Sequence, residues 1–286
     1  MPPSNGQKLV QDVEHLASDA VLIHNSFVQI DEELSIIAEE TLSFFHPHLF
    51  FRQDVLKFQD DLQGYHKQYK DLLWKSRDVA GAASAKLDDF LQTSLPFIRD
   101  GNVGIDEKVL LLGSVIKSVP ADETAAQHTA DAFEELHSGL DRALNVWTQL
   151  HEQKIQHLSN KESSLQSKWP PARDVAKPVQ LSHVLAALSP DYTAHGINEG
   201  IDPSPVELGM SSLVDKIQFI HGIWLQICTE LRQIHKRLEI QAEGANISLT
   251  LFDIRMTALE PVFRDLVEAL RAYESGVTRS QAVLSL

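Results

Sequence analysis

The fold of this protein is decided by residues 210–238, MSSLVDKIQFIHGIWLQICTELRQIHKRL, which carry the most regular apolar pattern of the chain. The apolar residues follow one another at alternating steps of three and four: Met210, Leu213, Ile217, Ile220, Trp224, Ile227, Leu231, Ile234 and Leu238. This spacing is the 3.5-residue repeat of helices that pack lengthwise on other helices. At a rise of about 1.5 Å per residue, it predicts a helix of roughly 40 Å or more.

The same kind of pattern recurs along the chain, and prolines or glycines separate its copies. It predicts long helices over about 6–45, 55–94, 122–169, 206–243 and 249–276, of which the fourth contains the stretch quoted above. Pro261 lies inside the last pattern, which keeps its phase, so we expect a kinked but continuous helix there. Short connections make neighbouring helices alternate in direction. The predicted fold class is therefore all-α, an elongated antiparallel bundle of about five long helices with a small irregular head segment.

Two interruptions separate these helices. Pro96 and the glycines of residues 100–104 predict a loop, after which the apolar segment 109–116 predicts a short helix that ends at Pro120. Residues 168–205 contain six of the twelve prolines, which excludes one continuous helix. We predict a single domain over 1–286 in which 168–205 forms the irregular head or cap. Gly244 is expected to cap the fourth helix, and the last ten residues are expected to be frayed.

The composition excludes several classes of partner and location. Lys and Arg number 25 against 40 Asp and Glu, a formal net charge of −15, so the averaged surface repels nucleic-acid phosphates and anionic lipid head groups. The first residues lack the basic and apolar regions of a secretory signal. The apolar segment 109–116 is far shorter than the roughly 18 residues of a membrane span. We therefore expect a protein that is synthesised soluble and is cytoplasmic or released without a standard signal.

No sequence motif of a known catalytic or metal centre is complete. His151 and Glu152 begin a zinc-protease motif, but the second histidine that this motif needs is replaced by Ile155. Residues 100–104 begin like a calcium loop and then lack its glycine and glutamate. Glu-x-x-His pairs of the kind that build metal sites inside bundles are also missing near Glu14 and Glu135. The sequence predicts a protein that is not an enzyme and has no cofactor and no metal.

Two apolar clusters are candidate contacts with a membrane or a partner. The first surrounds Pro47, and the second lies in the apolar part of the head. Their residues are Phe44, Phe45, Phe50, Phe51, Leu181, Leu185 and Leu188. The two clusters either pack against each other under the head or form an exposed patch that meets lipid or a partner protein.

Five long antiparallel helices with a proline- and glycine-broken excursion between two of them resemble the α-helical pore-forming toxins, the group that includes cytolysin A and haemolysin BL. The resemblance is one of architecture, covers roughly residues 7–276 and involves no diagnostic motif. By position, residues 168–205 match the head that inserts on membrane contact in such toxins, although the apolar run 181–188 is shorter than theirs. The resemblance implies a non-enzymatic, membrane-interacting protein that forms homo-oligomers on activation.

The periodicity alone predicts a second kind of function equally well. Exposed apolar stripes on helical bundles bind other helices, as in soluble scaffolds and adaptors. Such a protein needs no head and no contact with lipid. The sequence therefore leaves two classes of partner open, membrane lipid and a partner helical protein.

Overall fold

The computed structural model describes residues 5–44, 49–168, 204–245 and 249–284, and nearly all of these are helical. The helices are α1 (Asn5–Glu14), α2 (Leu16–Phe44), α3 (Leu49–Asp89), a π-helical segment (Phe90–Ser94), α4 (Leu95–Arg99), α5 (Ile105–Lys168), α6 (Pro205–Ala245) and α7 (Leu249–Leu284). Among the described residues, five helices are long: α2, α3, α5, α6 and α7 have 29, 41, 64, 41 and 36 residues. The predicted all-α class with several long helices is confirmed.

The chain divides into two compact units. Unit 1 comprises Met1–Ile23, Gln68–Glu135 and Lys216–Leu286, and unit 2 comprises His24–Lys67 and Leu136–Asp215. Helices α2, α3, α5 and α6 each contribute residues to both units. This division does not test the prediction of a single domain, which stays a prediction. The head predicted at 168–205 lies outside the described residues apart from its ends, Lys168, Ser204 and Pro205.

Neighbouring helices run antiparallel within each unit, as predicted. In unit 1, Asp88 of α3 pairs with Arg271 of α7, whereas Arg99, farther along the chain, pairs with the earlier Glu260. In unit 2 the same reversal relates α2 and α3, because Asp31 contacts Gln59 and the earlier His24 contacts the later His66. Residue numbers therefore increase along one helix in the direction in which they decrease along its neighbour.

The apolar stripe of α6 is buried as the sequence predicts. Every member of the stripe from Met210 to Ile234 has no more than 1% of its surface exposed. In unit 1, the indole Nε1 of Trp224 donates a hydrogen bond to the hydroxyl of Tyr273 at 3.0 Å. That hydroxyl also lies 2.6 Å from the hydroxyl of Ser76, which is buried as well. Burial raises the pKa of Tyr273 to about 12, so this polar cluster stays uncharged and fully hydrogen-bonded inside the core.

Pro120 does not end a helix, so the prediction of a short helix before it was wrong. The proline lies inside α5, where it removes one backbone N–H donor at a cost of about 3 kcal/mol. Leu112, Val119 and Ala126 are nevertheless buried at seven-residue steps across it. Burial of this stripe in unit 1 offsets the lost hydrogen bond and keeps the helix continuous. Pro261 likewise lies inside α7, as predicted.

Pro96 was also wrongly predicted as a helix end. The π-helical segment Phe90–Ser94 widens the helix by one residue per turn and leads into α4, which continues to Arg99. Pro96 stands in the first turn of α4, a position where its missing N–H does least harm. The loop at 100–104 then follows as predicted.

Three smaller boundaries differ from those predicted. A turn at His15 divides the first predicted helix into α1 and α2. Gly244 is helical, because α6 extends to Ala245. The C-terminal residues expected to be frayed are helical up to Leu284, and the buried side chain of Val277 anchors that part of α7.

Candidate functional site

Large apolar side chains are exposed at one end of unit 1. Phe97 on α4 is 42% exposed, Leu110 on α5 is 78% exposed and Ile254 on α7 is 65% exposed. Arg99 donates hydrogen bonds to Thr257 and Glu260, which fixes the last turn of α4 against the first turns of α7. The loop 100–104 then leads directly into the first turns of α5. Phe97, Leu110 and Ile254 therefore share this end, and we call them the apolar end of unit 1.

The segment 109–116 forms part of this end and is only partly buried. Of its apolar side chains Leu112 is buried, whereas Val109 and Leu111 are half-buried and Leu110 is exposed. Several large apolar side chains exposed at the same end of a unit are a candidate interaction site. Exposed acidic residues flank it, namely Asp100, Asp106 and Glu107. The apolar end thus combines an apolar centre with an acidic rim.

Unit 2 contains a second feature, an open cleft of about 490 Å³ between α5 and the first turns of α6. We call it the His151 cleft. It is lined by Leu144, Asn145, Thr148, His151, Glu152, Glu207, Leu208 and Ser211.

A capping box at the start of α6 borders this cleft. Glu207 accepts a hydrogen bond through Oε2 from the backbone N–H of Ser204 at 2.6 Å, and its own N–H donates to Ser204 Oγ at 3.2 Å. This reciprocal pair satisfies two N–H groups that a helix start leaves free. Trp147 of α5 adds a third hydrogen bond, from its Nε1 to Ser204 Oγ at 3.1 Å. The start of α6 is therefore held against α5 by side chains that are all buried.

His151 is held beside this cap as a neutral imidazole. It is only 2% exposed, and its Nδ1 lies 3.5 Å from Glu207 Oε2. Its Nε2 is buried without a hydrogen-bond partner. Burial lowers the pKa of His151, and the nearby carboxylates of Glu207 and Glu152 oppose that shift only in part. A proton on Nε2 would have no acceptor in this environment.

The contacts of Ser204 and Glu207 beside the cleft are those of a helix cap. No described hydrogen bond joins His151 to Ser204, whose oxygen accepts N–H groups from Trp147 and Glu207. The carboxylate of Glu207 in turn accepts a hydrogen bond from the backbone N–H of Ser204. These contacts stabilise the helix start, and nucleophilic catalysis would need a different pairing.

Acidification should therefore weaken the fold through His151. Its folded pKa is below the ordinary value of about 6.5, so the unfolded chain binds more protons as the pH falls past that value. We expect the free energy of unfolding to fall below about pH 6.5, by at most about 1.4 kcal/mol per pH unit from this group. Urea titrations at pH 7.5, 6.5 and 5.5 should show a weaker pH dependence in His151→Leu than in the unchanged protein.

His128→Leu is the matched control, because His128 lies on the same helix and is exposed. The loss of pH dependence should be larger in His151→Leu than in His128→Leu. A pH dependence that is equal in the unchanged protein and in His151→Leu would contradict the assignment to His151.

The predicted contact residues are only partly covered by the structure. Phe51 is half-buried on α3 in unit 2, and the ammonium nitrogen of Lys154 lies 4.5 Å from the centre of its ring. Phe44 and Phe50 are helical residues of α2 and α3. The other four predicted residues, Phe45, Leu181, Leu185 and Leu188, lie outside the described residues. A contact role for this set stays a prediction.

The sequence pattern missed the inward position of two polar residues. Apolarity alone favours Leu150 and Ile155 on the inner face of α5, whereas the structure half-buries these two and buries His151 and Lys154. His151 and Lys154 lie four and seven residues after Trp147, which is the spacing of one helical face. This spacing could have predicted their inward position, although both residues are polar.

Further chemistry is limited within the described parts of the chain. No three His, Cys, Asp or Glu side chains come together there in a way that could hold a metal ion. Cys228 is buried, and burial raises the pKa of its thiol, which favours the uncharged form. None of the described helices is both long enough and apolar enough to cross a bilayer.

Comparison with protein-family models finds no match for this chain, and comparison with curated proteins finds none either. No family match supports a toxin group. What the chain shares with the α-helical toxins is the all-α arrangement of long helices.

Proposed function

We propose that this protein is a non-enzymatic helical adaptor that binds a partner protein through the apolar end of unit 1. The exposure of Leu110, Ile254 and Phe97 at one end carries the proposal. By contrast, α6 buries its apolar stripe from Met210 to Ile234, and its exposed apolar residues, such as Leu225, lie off that stripe. Keeping large apolar side chains in water forgoes about 25 cal/mol per Å² of buried area, so their grouping favours a surface that is covered on binding.

The chemistry of the apolar end favours an amphipathic helix as the partner element. Such a helix presents apolar side chains on one face at steps of three and four and polar side chains on the other. Its apolar face would cover Leu110 and Ile254. The acidic rim of Asp100, Asp106 and Glu107 favours basic residues beside that face, because opposite charges steer association.

Membrane contact, the function implied by the toxin resemblance, is the alternative that the same surface allows. The acidic rim and the net charge of −15 oppose binding to anionic lipid. Binding to lipid would therefore depend on apolar burial and change little with salt. This dependence separates the two functions experimentally.

The adaptor is tested by photo-cross-linking from position 110 in cells that make the protein, followed by binding of the captured protein in purified form. We expect the double variant Leu110→Asp, Ile254→Asp to lose the partner. Leu225→Asp is the matched control, since Leu225 is an exposed apolar residue of unit 1 on α6. It should bind the partner as the unchanged protein does. Circular dichroism checks that all variants keep their helices.

Two results would overturn the adaptor. The first is a captured protein whose binding is unaffected by the double variant. The second is flotation of the unchanged protein with phosphatidylcholine vesicles, with or without sterol, that the double variant abolishes. Dye release from the same vesicles would then replace the adaptor by a membrane-active protein.

A further inference from the structure

Two histidines from different helices meet in unit 2. His24 lies on α2 and His66 lies on α3, 42 residues apart in sequence, and both are half-buried. The Nδ1 atom of His24 is 2.9 Å from the Nε2 atom of His66. Their ring centres are 4.9 Å apart and the rings are inclined at 47°.

Other contacts between the same two helices fix this pair. The buried ring of Phe27 stacks on His66 at 4.7 Å and 13°. Farther along α2, Asp31 Oδ1 accepts hydrogen bonds at 3.0 Å from the side-chain amides of Gln59 and Gln63 on α3. The two imidazoles are therefore brought together by packing and polar contacts that do not depend on their own hydrogen bond.

The separation of the two nitrogens fits two arrangements. Between neutral imidazoles, 2.9 Å is a hydrogen bond in which one ring donates and the other accepts. Two nitrogens bound at right angles to one metal ion, each at about 2.0–2.1 Å, are also about 2.9 Å apart. A tetrahedral ion would need a separation of about 3.4 Å. The pair thus matches neighbouring positions of a tetragonal ion more closely than a tetrahedral zinc site.

We propose that His24 and His66 form a binding site for a divalent transition-metal ion of the Cu²⁺ type. His24 would bind through Nδ1 and His66 through Nε2. In the free protein one of the two facing nitrogens, His24 Nδ1 or His66 Nε2, carries a hydrogen. On metal binding that ring would change to its other tautomer, so that both facing nitrogens present a lone pair to the ion and no proton is released. Water would complete the coordination, because no third protein ligand of the usual kind is brought to the pair within the described residues.

The ligand set selects among ions. Imidazole nitrogen suits copper, nickel and zinc, and Cu²⁺ binds a given set of nitrogen ligands most tightly among the divalent first-row ions. Calcium and magnesium require oxygen ligands, and the nearby carboxylate of Asp31 is already held by Gln59 and Gln63. The inferred site is independent of the apolar end, which belongs to unit 1. It is contrary to the sequence-based prediction of no metal.

The experiment adds one equivalent of Cu²⁺ to the purified full-length protein and records its electron paramagnetic resonance spectrum. We expect an axial signal with hyperfine structure from two imidazole nitrogens. Calorimetry should show one such site, and its affinity should fall at least about tenfold in His24→Gln and in His66→Gln. His128→Gln, which removes an exposed helical histidine, is the matched control and should leave the affinity unchanged.

The spectrum of the unchanged protein can overturn the proposal even if a variant fails to fold. A signal from one nitrogen, or from none, would overturn it. Equal affinities in the unchanged protein and both folded histidine variants would also overturn it, and would show adventitious binding by surface histidines.

Discussion

Replacing Ile227 by alanine should lower the free energy of unfolding by about 2–5 kcal/mol. Ile227 has no exposed surface and lies in the α6 stripe between Trp224 and Leu231. Trp224 is fixed there by its hydrogen bond to Tyr273 and by an edge-on contact between the two rings, at 5.1 Å between centres. A side chain held in this way cannot move to fill the space that alanine leaves, so the loss should include both the transfer and the cavity contributions.

Leu225→Ala is the control for this prediction. Leu225 lies two residues away on the same helix and is 41% exposed, so its truncation should cost much less. Denaturant titrations of the two variants measure the difference. Equal losses in Ile227→Ala and Leu225→Ala would show that the inner face of α6 has been assigned wrongly.

The inner face of α6 could be predicted because its apolar stripe keeps one phase from Met210 to Leu238. Val214, Phe219, Ile223 and Leu225 adjoin the stripe, but none of them starts a second, separate series of three- and four-residue steps along the helix. The corresponding pattern of α3 is ambiguous, since Leu72 precedes Leu73 and Val79 precedes Ala80. In each pair the structure buries the second residue, Leu73 or Ala80. Neighbouring apolar residues allow a register error of about 100° that only the packing partner resolves.

Proline was a reliable boundary in some places and not in others. The sequence shows that Pro96 and Pro120 each lack a backbone N–H and so destabilise a helix, but it does not show which structural feature compensates for this loss. At Pro120 the offset is an apolar stripe that continues on both sides, and at Pro96 it is a π-helical segment that places the proline in a first helical turn. Pro261 was interpreted correctly because the apolar phase across it had been followed.

The candidate sites depend on contacts that local spacing does not contain. His24 and His66 come from different helices, and so do His151 and Glu207. No local motif predicts either pair, because each depends on the register between two antiparallel helices. The sequence shows that segment 109–116 is apolar, but only the structure shows that Leu110 in this segment is exposed.

Replacing Trp147 by alanine should be the most damaging single change in unit 2, at about 3–5 kcal/mol. Trp147 is 1% exposed, and its ring lies 5.1 Å from that of Phe58, measured between centres. It also donates the hydrogen bond that holds Ser204, and with it the capping box of α6. The change should therefore leave a cavity beside Phe58 and loosen the start of α6, which thermal unfolding and hydrogen exchange of the first α6 amides would measure.

Two further variants separate the contributions of Trp147. Trp147→Phe keeps most of the ring volume and removes the N–H donor, so it should cost about 1 kcal/mol in addition to any repacking. Val146→Ala truncates the exposed neighbouring residue and should change stability little. The expected order of losses is Trp147→Ala, then Trp147→Phe, then Val146→Ala. If Trp147→Phe costs as much as Trp147→Ala, the hydrogen bond to Ser204 and not the buried ring volume holds this part of unit 2 together.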